Sequence, residues 1–156
     1  MSWFSKNVGK TTRTESNQTQ ITPIPRGQLG SLGDLLFNVT SEQVITFRDY
    51  SRKIGVRLTE HDVIGSKSVV EYIAPELQTI NFKIQLHSSL GIDPLIELDR
   101  LEKMCENGEV NHLIIGNTII GANQWIIENI AEEETIYTPK GEILYTELTV
   151  SLKEYV

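Results

Sequence analysis

The sequence lacks the features that would cross-link the chain or attach it to a membrane. Cys105 is the only cysteine among 156 residues, so no disulfide can form within the chain. The longest apolar runs, such as Leu113-Ile114-Ile115, are far shorter than the ~20 residues of a membrane-spanning helix. The N-terminus lacks the basic stretch and apolar segment of a signal peptide. These absences predict a soluble protein that is made in the cytoplasm and has no membrane anchor.

The chain does have enough apolar material for one domain. Hydrophobic residues make up 39% of the sequence, and a chain of this length buries roughly 68–70% of its unfolded surface on folding. The length therefore predicts a single hydrophobic core that needs neither a disulfide nor a metal ion.

Charge is unevenly distributed along the chain. The net charge is −7, but residues 1–26 carry four cations against Glu15, a net charge of +3, which leaves −10 for the rest. An acidic body argues against binding to phosphate backbones, which requires clustered Lys and Arg. We therefore expect no specific nucleic acid partner and a protein neighbour instead.

The basic N-terminal segment is polar and lacks apolar periodicity. Residues from Ser5 to Pro25 are rich in Ser, Thr, Asn and Gln, which predicts an extended arm when the protein is alone. Large apolar side chains at its tip are typical anchors for a pocket on a neighbour, although they could instead fold back on their own domain. The candidate assembly contacts of the arm are Trp3, Phe4, Lys6, Lys10 and Arg13.

Alternating residues predict a half-buried hairpin at the end of the chain. A strand from Trp125 is followed by the break Pro139-Lys140-Gly141 and a strand from Leu144 to Tyr155. One face of the last strand is expected in the core: Leu144, Thr146, Leu148, Val150 and Leu152. The other face is expected in water: Tyr145, Glu147, Thr149, Ser151 and Lys153.

The middle of the chain adds further strands and one helix. Leu77 to His87 alternates in the same way, with Ile80, Phe82, Ile84 and Leu86 on its core face. A helix over about 94–106 begins at the cap Asp93 and ends at Asn107-Gly108. Its apolar face is expected to pack on a sheet: Leu95, Ile96, Leu98, Leu101, Met104 and Cys105. Roughly seven strands with one helix predict a mostly antiparallel α+β domain.

Motifs for catalysis or metal binding are near misses. Gly9-Lys10-Thr11 lacks the first glycine and the preceding strand of a phosphate-binding loop. The three histidines, at 61, 87 and 112, lack the close spacing of zinc ligands. Glu132-Glu133-Glu134 lie in a strand, where adjacent side chains point to opposite faces. We therefore expect no enzymatic activity, catalytic residue, metal or cofactor.

Five segments follow one another in a characteristic order over the body of the chain. They are Gly33-Asp34-Leu-Leu-Phe, Leu77-Gln-Thr-Ile-Asn-Phe-Lys-Ile, Leu98-Asp-Arg-Leu-Glu-Lys-Met, Ile114 to Gly121 leading into Trp125-Ile-Ile-Glu-Asn-Ile-Ala-Glu, and Leu148-Thr-Val-Ser-Leu-Lys-Glu-Tyr. In this order, the stretch from about Gly33 to Tyr155 resembles the GpU-like tail protein family of contractile-tailed bacteriophages and their bacteriocin relatives.

The resemblance implies a virion structural protein whose fold is a mostly antiparallel β-sandwich or barrel similar to tail-tube subunits. It divides the chain into an extended basic arm, residues 1–32, and a tail-tube-like body, residues 33–156. The implied role is a ring, sixfold in this family's setting, at the baseplate end of the tail tube, where it joins the tube to the central hub. The implied partners are further copies in a hexamer, the tail tube protein, the baseplate hub, and sheath or other baseplate proteins. The implied location is the tail of a virion or tail-like particle assembled in the bacterial cytoplasm.

The sequence departs from the family at both ends. Many members begin near the equivalent of Gly33, so the arm is extra. The last hairpin usually has an Asp-Gly turn and an arginine-rich ending, whereas this chain has Pro139-Lys140-Gly141 and Lys153-Glu154.

Strand edges offer a physical route to a ring. The strands Leu77 to His87 and Leu144 to Tyr155 contain no proline and few inward charges, so we expect them to be open edges that join neighbouring subunits. Two alternatives remain open: a tail terminator or tube-initiator ring, and a small β-barrel binding module. The second requires polar residues on the inward face, whereas the predicted inward set is apolar.

Overall fold

The structure is a computed structural model, and it describes residues 28–38 and 45–156. These residues form eleven strands and one α-helix, besides a 3₁₀ turn at Ser88–Leu90. In chain order the elements are β1 (Gln28–Leu32), β2 (Leu35–Asn38), β3 (Thr46–Lys53), β4 (Val56–His61), β5 (Val69–Pro75), β6 (Thr79–His87), α1 (Pro94–Glu106), β7 (Val110–Asn111), β8 (Leu113–Ile115), β9 (Thr118–Ile119), β10 (Gln124–Tyr137) and β11 (Ile143–Tyr155).

The closing hairpin is the longest element pair and confirms the sequence prediction. β10 and β11 pair antiparallel from Gln124 opposite Tyr155 to Tyr137 opposite Ile143. The turn between them is closed by the Gly141 amide, which donates to the Thr138 carbonyl at 2.9 Å, and Gly141 has a φ of 86°. A left-handed φ is readily adopted by glycine, which explains the residue at this turn.

The strands form three antiparallel sheets. The largest has the order β3-β6-β11-β10-β7 and curls into a half-barrel. A second has the order β2-β1-β8-β9, and β4 and β5 form a two-stranded sheet of their own. β6 and β11 therefore lie inside the largest sheet, so the prediction that they form open edges is wrong. Both strands lack proline and have few inward charges because they pair on both sides. Only edge strands need such features to prevent pairing with other chains.

One face of the largest sheet carries the core. The side chains of Ile80, Phe82, Ile84 and Leu86 in β6, and of Thr146, Leu148, Val150 and Leu152 in β11, are all at most 1% exposed. These inward positions agree with the predicted alternation, except that Leu144 at the start of β11 is exposed. Three aromatic rings extend this core to β2 and β3, since Phe37 lies 5.2 Å from Phe47 and 5.7 Å from Phe82 between ring centroids.

The helix covers this core face, as predicted. The Asp93 side chain caps its first turn by accepting from the Leu95 amide at 3.0 Å. The residues that α1 buries lie on one stripe and are Pro94, Leu98, Leu101 and Met104. Leu95 and Ile96 are instead more than half exposed, so the predicted apolar face was too wide. At 3.6 residues per turn, these two positions point away from the buried stripe. The mostly antiparallel fold class with one helix packed on a sheet is confirmed.

The predicted boundary between arm and body falls at residue 32. Residues 28–32 form β1, which pairs with β2 and with β8. The division of the chain into an arm and a body stays a prediction, because residues 1–27 lie outside the described ranges.

Candidate assembly surface

The polar face of the largest sheet is organised around the carboxylate of Glu147. Its oxygens accept hydrogen bonds from Arg48 Nη2 at 2.5 Å, Gln85 Nε2 at 2.8 Å, Tyr145 Oη at 3.1 Å and Lys83 Nζ at 3.3 Å. These donors come from β3, β6 and β11 and leave Glu147 only 7% exposed. The side chain lies on the predicted polar face, but the prediction that water solvates it is wrong.

The pKa of Glu147 reflects these contacts. Hydrogen bonding from Gln85, together with Lys83, Tyr145 and the charge of Arg48, lowers its pKa to about 2, although burial acts in the opposite direction. The same site raises the pKa of Tyr145, chiefly because burial disfavours the phenolate. Glu147 is therefore a carboxylate held ionised by its neighbours, which is the state of a structural anchor rather than of a proton donor.

Ion pairs extend this network to β10. Lys83 also donates to Glu133, whose other oxygen accepts from Thr149 Oγ1 at 2.6 Å. Lys83 thus bridges the carboxylates of Glu133 and Glu147. The hydrogen bond with Glu133 is the main cause that raises the pKa of Lys83. A further ion pair joins β11 to β10, since Lys153 Nζ lies 3.2 Å from Glu128 Oε1. Cross-strand contacts therefore join all four long strands on the polar face.

The hairpin of β4 and β5 is the most apolar exposed element. Leu58 pairs with Tyr72 and Glu60 pairs with Val70, so these four side chains share one face. Leu58, Val70 and Tyr72 are 51%, 54% and 59% exposed. Val56 lies on the same face and is also exposed. No element in the described part of the chain covers this apolar stripe.

The tip and the opposite face of the hairpin differ in character. Ile64, in the tip turn, is completely exposed, and Gly65 beside it has a φ of 81°. On the opposite face, Thr59 pairs with Glu71, and His61 Nε2 lies 2.9 Å from the Glu71 carboxylate. The exposed Val69 pairs with His61 on this second face, and Glu60 lies on the first. The Leu58 face is therefore the more apolar of the two, as in a sheet that is covered on one side.

His61, His87 and Cys105 lie in different elements of the structure. His61 lies in the hairpin, and His87 Nδ1 accepts from the Ser89 amide at 3.2 Å in the turn that follows β6. The Cys105 thiol is half-buried on α1 and donates to the Ile127 carbonyl at 3.7 Å. The described residues contain no group of three or more side chains that could hold a metal ion. Within the same ranges, the structure has no helix of the length and apolarity needed to cross a bilayer.

The candidate contacts of the arm lie outside the described residues. These are Trp3, Phe4, Lys6, Lys10 and Arg13. Sequence reasoning missed the uncovered hairpin face as a candidate surface. The alternation of Val56 and Leu58 with Arg57 and Thr59 was visible in the sequence, but only the structure shows that no described element packs on this face.

Comparison with solved structures finds similar chains in gene transfer agent (GTA) particles. One is in the tail of an empty GTA particle computed with helical refinement and C6 symmetry, and another is in the virion of a native GTA particle. Each is 12% identical in sequence, with a TM-score of 0.41, and the match covers 86% of this chain and all of the other. No curated protein matches the chain.

The fold and its surfaces define a β-sheet protein with a stabilised polar face and an uncovered apolar hairpin. The family model described as Phage P2 GpU matches residues 33–156. The chain therefore belongs to the Phage P2 GpU family, as the sequence resemblance predicted, and is a structural protein of a phage tail.

Proposed function

We propose that this protein forms a ring at the baseplate end of the tail tube and joins the tube to the central hub, without enzymatic activity. The ring is a hexamer whose neighbours are the tail tube protein, the hub, and sheath or other baseplate proteins. Membership of the Phage P2 GpU family supports a place in the tail. The observation that carries the assembly role is the uncovered apolar face of the β4–β5 hairpin.

A hairpin of this kind needs a partner. Two isolated strands are only marginally stable in water, and stability normally requires a third strand or a covering element. The apolar face of Leu58, Val70 and Tyr72 has no cover among the described residues. Contiguous exposed apolar residues on a soluble protein mark interaction sites. The β4–β5 hairpin is therefore the element by which each copy binds a neighbour in the tail.

A matched pair of variants tests this role. Leu58→Lys places a charge on the apolar face, whereas Thr59→Lys places the same charge on the opposite face, beside Glu71. Both variants should keep the melting temperature of the body, since exposed substitutions typically change stability by less than about 0.5 kcal/mol. Only Leu58→Lys should fail to restore tails when supplied to a phage that lacks the natural gene. Normal tails with Leu58→Lys would remove the hairpin from the proposal.

The position in the tail requires a separate measurement. Electron microscopy of particles that carry a tag on this protein should place the label at the baseplate end of the tube. A label at the head-proximal end would indicate a terminator ring instead, and particles without label would contradict a place in the tail.

A further inference from the structure

The largest sheet has two long edges. Among the described residues, β3 ends the sheet on one side, because it pairs only with β6. On the other side β7 pairs only with Trp125 and Ile126 of β10. From Glu128 to Tyr137, β10 therefore has no strand partner on its outer side within the described residues.

The two edges carry opposite charge. β3 contains Arg48, Arg52 and Lys53 against Asp49, a net charge of +2. The open part of β10 contains Glu128, Glu132, Glu133 and Glu134 without a Lys or Arg, a net charge of −4. Each edge thus repels a second copy of itself and attracts the other edge.

Some of these charges are already paired within the subunit and some are not. Arg48 is bound to Glu147 and lies 4.0 Å from Asp49, Glu133 is bound to Lys83, and Glu128 is bound to Lys153. On β3, Arg52 donates only to the neutral Gln78, and Lys53 has no carboxylate within ion-pair distance in the described part of the chain. On β10, Glu132 and Glu134 have no cationic partner among the same residues. Two uncompensated charges of one sign therefore remain on each edge.

We propose that the β3 edge of one copy docks against the β10 edge of the next, and that these charges select the contact. The inference rests on the ring proposed above and names its interface. A contact between two different edges is heterologous, and such contacts generate rings when the rotation closes. A contact between identical edges produces only a dimer, which the like charges disfavour.

Strand direction supports the same arrangement. β3, β6, β11 and β10 alternate in direction, so β3 and β10 run in opposite directions. Copies related by a rotation about an axis along the strands bring these edges together as an antiparallel pair. β3 also has a bulge at Asp49, with a φ of 53°, between Arg48 and Ser51. Bulges and charges discourage pairing with unrelated strands, so the edges are selective for each other.

Charge reversal tests the contact. The acidic-edge variant carries Glu132→Lys with Glu134→Lys, and the basic-edge variant carries Arg52→Glu with Lys53→Glu. All four side chains are exposed, so both variants should melt within a few degrees of the natural protein. In each variant alone, the uncompensated charges of the two edges in contact have the same sign, so each variant should fail to complement a phage that lacks the natural gene.

Supplying the two variants together should restore tails. In a ring of alternating copies, each reversed edge then faces an edge of opposite charge, which an even copy number such as six permits. The yield of tailed particles should fall at least about tenfold with either variant alone, because like charges weaken the contact, and should recover with the mixture.

The outcomes separate this inference from the proposed function. Normal tails with either variant alone, or no recovery with the mixture of two folded variants, would overturn the edge contact while leaving the ring in place. Absence of the natural protein from tails would overturn the proposed function, and with it the edge contact that rests on it.

Discussion

At the scale of single residues, the Glu147 carboxylate holds the polar face of the sheet in one arrangement. Its partners Arg48, Gln85 and Lys83 lie on strands other than its own. Hydrogen bonds to an ionised group are about twice as strong as neutral ones. Loss of this charge should therefore loosen contacts among β3, β6 and β11 together.

The low pKa of Glu147 predicts how stability changes with pH. Its pKa is about 2 in the folded protein, against an ordinary value of 4.5, so the unfolded chain binds the proton first as the pH falls. The stabilisation is therefore complete above about pH 5 and is lost between about pH 4.5 and 2. Glu147→Gln, which removes the charge, should be less stable than the natural protein at pH 7 and should approach it near pH 2.

Chemical denaturation of both proteins across this range measures the effect, with Glu128→Gln as the control. Glu128 and its partner Lys153 are both nearly half exposed, and such pairs contribute only about 0–1 kcal/mol. An equal stability difference between Glu147→Gln and the natural protein at pH 7 and pH 2.5 would contradict the prediction.

The role of Glu147 shows what alternation in a sequence can and cannot predict. The period of two placed it correctly on the face opposite Leu148, because successive side chains in a strand point to opposite sides. Its burial depends on Gln85 and Arg48, which lie 62 and 99 residues away in the chain. No local pattern contains that information. The sequence-based expectation that Glu147 is solvated was therefore wrong for a non-local reason.

At the scale of elements, the entry into β10 depends on a close contact between Gly121 and Trp125. Gly121 has a φ of 83°, and a Cβ atom there would lie 2.9 Å from Trp125 Cζ2. The indole is held in place because its Nε1 donates to the Ile120 carbonyl at 2.7 Å and the ring is fully buried. The loop therefore cannot accept a side chain at Gly121 without moving the ring.

A comparison of Gly121→Ala with Gly141→Ala separates the free-energy cost of backbone strain from the cost of the contact with Trp125. Gly141 has a similar φ of 86°, but no atom lies within 4 Å of its added Cβ. Gly141→Ala should cost about 1 kcal/mol from the left-handed backbone alone. Gly121→Ala should cost more and should change the tryptophan fluorescence. Thermal denaturation measures both, and equal losses would mean that the Trp125 contact carries no energy.

Strand order is the part of the architecture that sequence reasoning could not reach. The pattern predicted β6, β10, β11 and α1 with nearly correct limits, because period and capping are local signals. It did not predict that β6 and β11 are neighbours inside the sheet, since many residues, including all of α1, separate them. In the described residues the edges lie instead on β3 and on β10.

At the scale of the whole molecule, the described residues already form a closed core. The buried apolar residues make one cluster that draws on β1, β2, β6, α1, β8, β10 and β11, and Phe47 of β3 packs against it. In the described part of the chain, no buried side-chain nitrogen or oxygen lacks a hydrogen-bond partner. We therefore expect the body to be stable without residues 1–26.

This completeness leads to the prediction for the N-terminal arm, whose role is still a proposal. Deleting residues 1–26 should leave the melting temperature of the body nearly unchanged, because a polar segment without apolar periodicity adds little to a core. The same deletion should impair joining of the tail to the hub, since it removes the anchor candidates Trp3 and Phe4. Neutralising Lys6, Lys10 and Arg13 in the full chain should have a milder effect that depends on salt, because exposed ion pairs are weak and screened. Thermal denaturation and electron microscopy of complemented particles measure the two effects separately. A truncated body that unfolds would show that the arm is a clasp of its own domain, and intact tails with the truncated protein would remove any role of the arm in assembly.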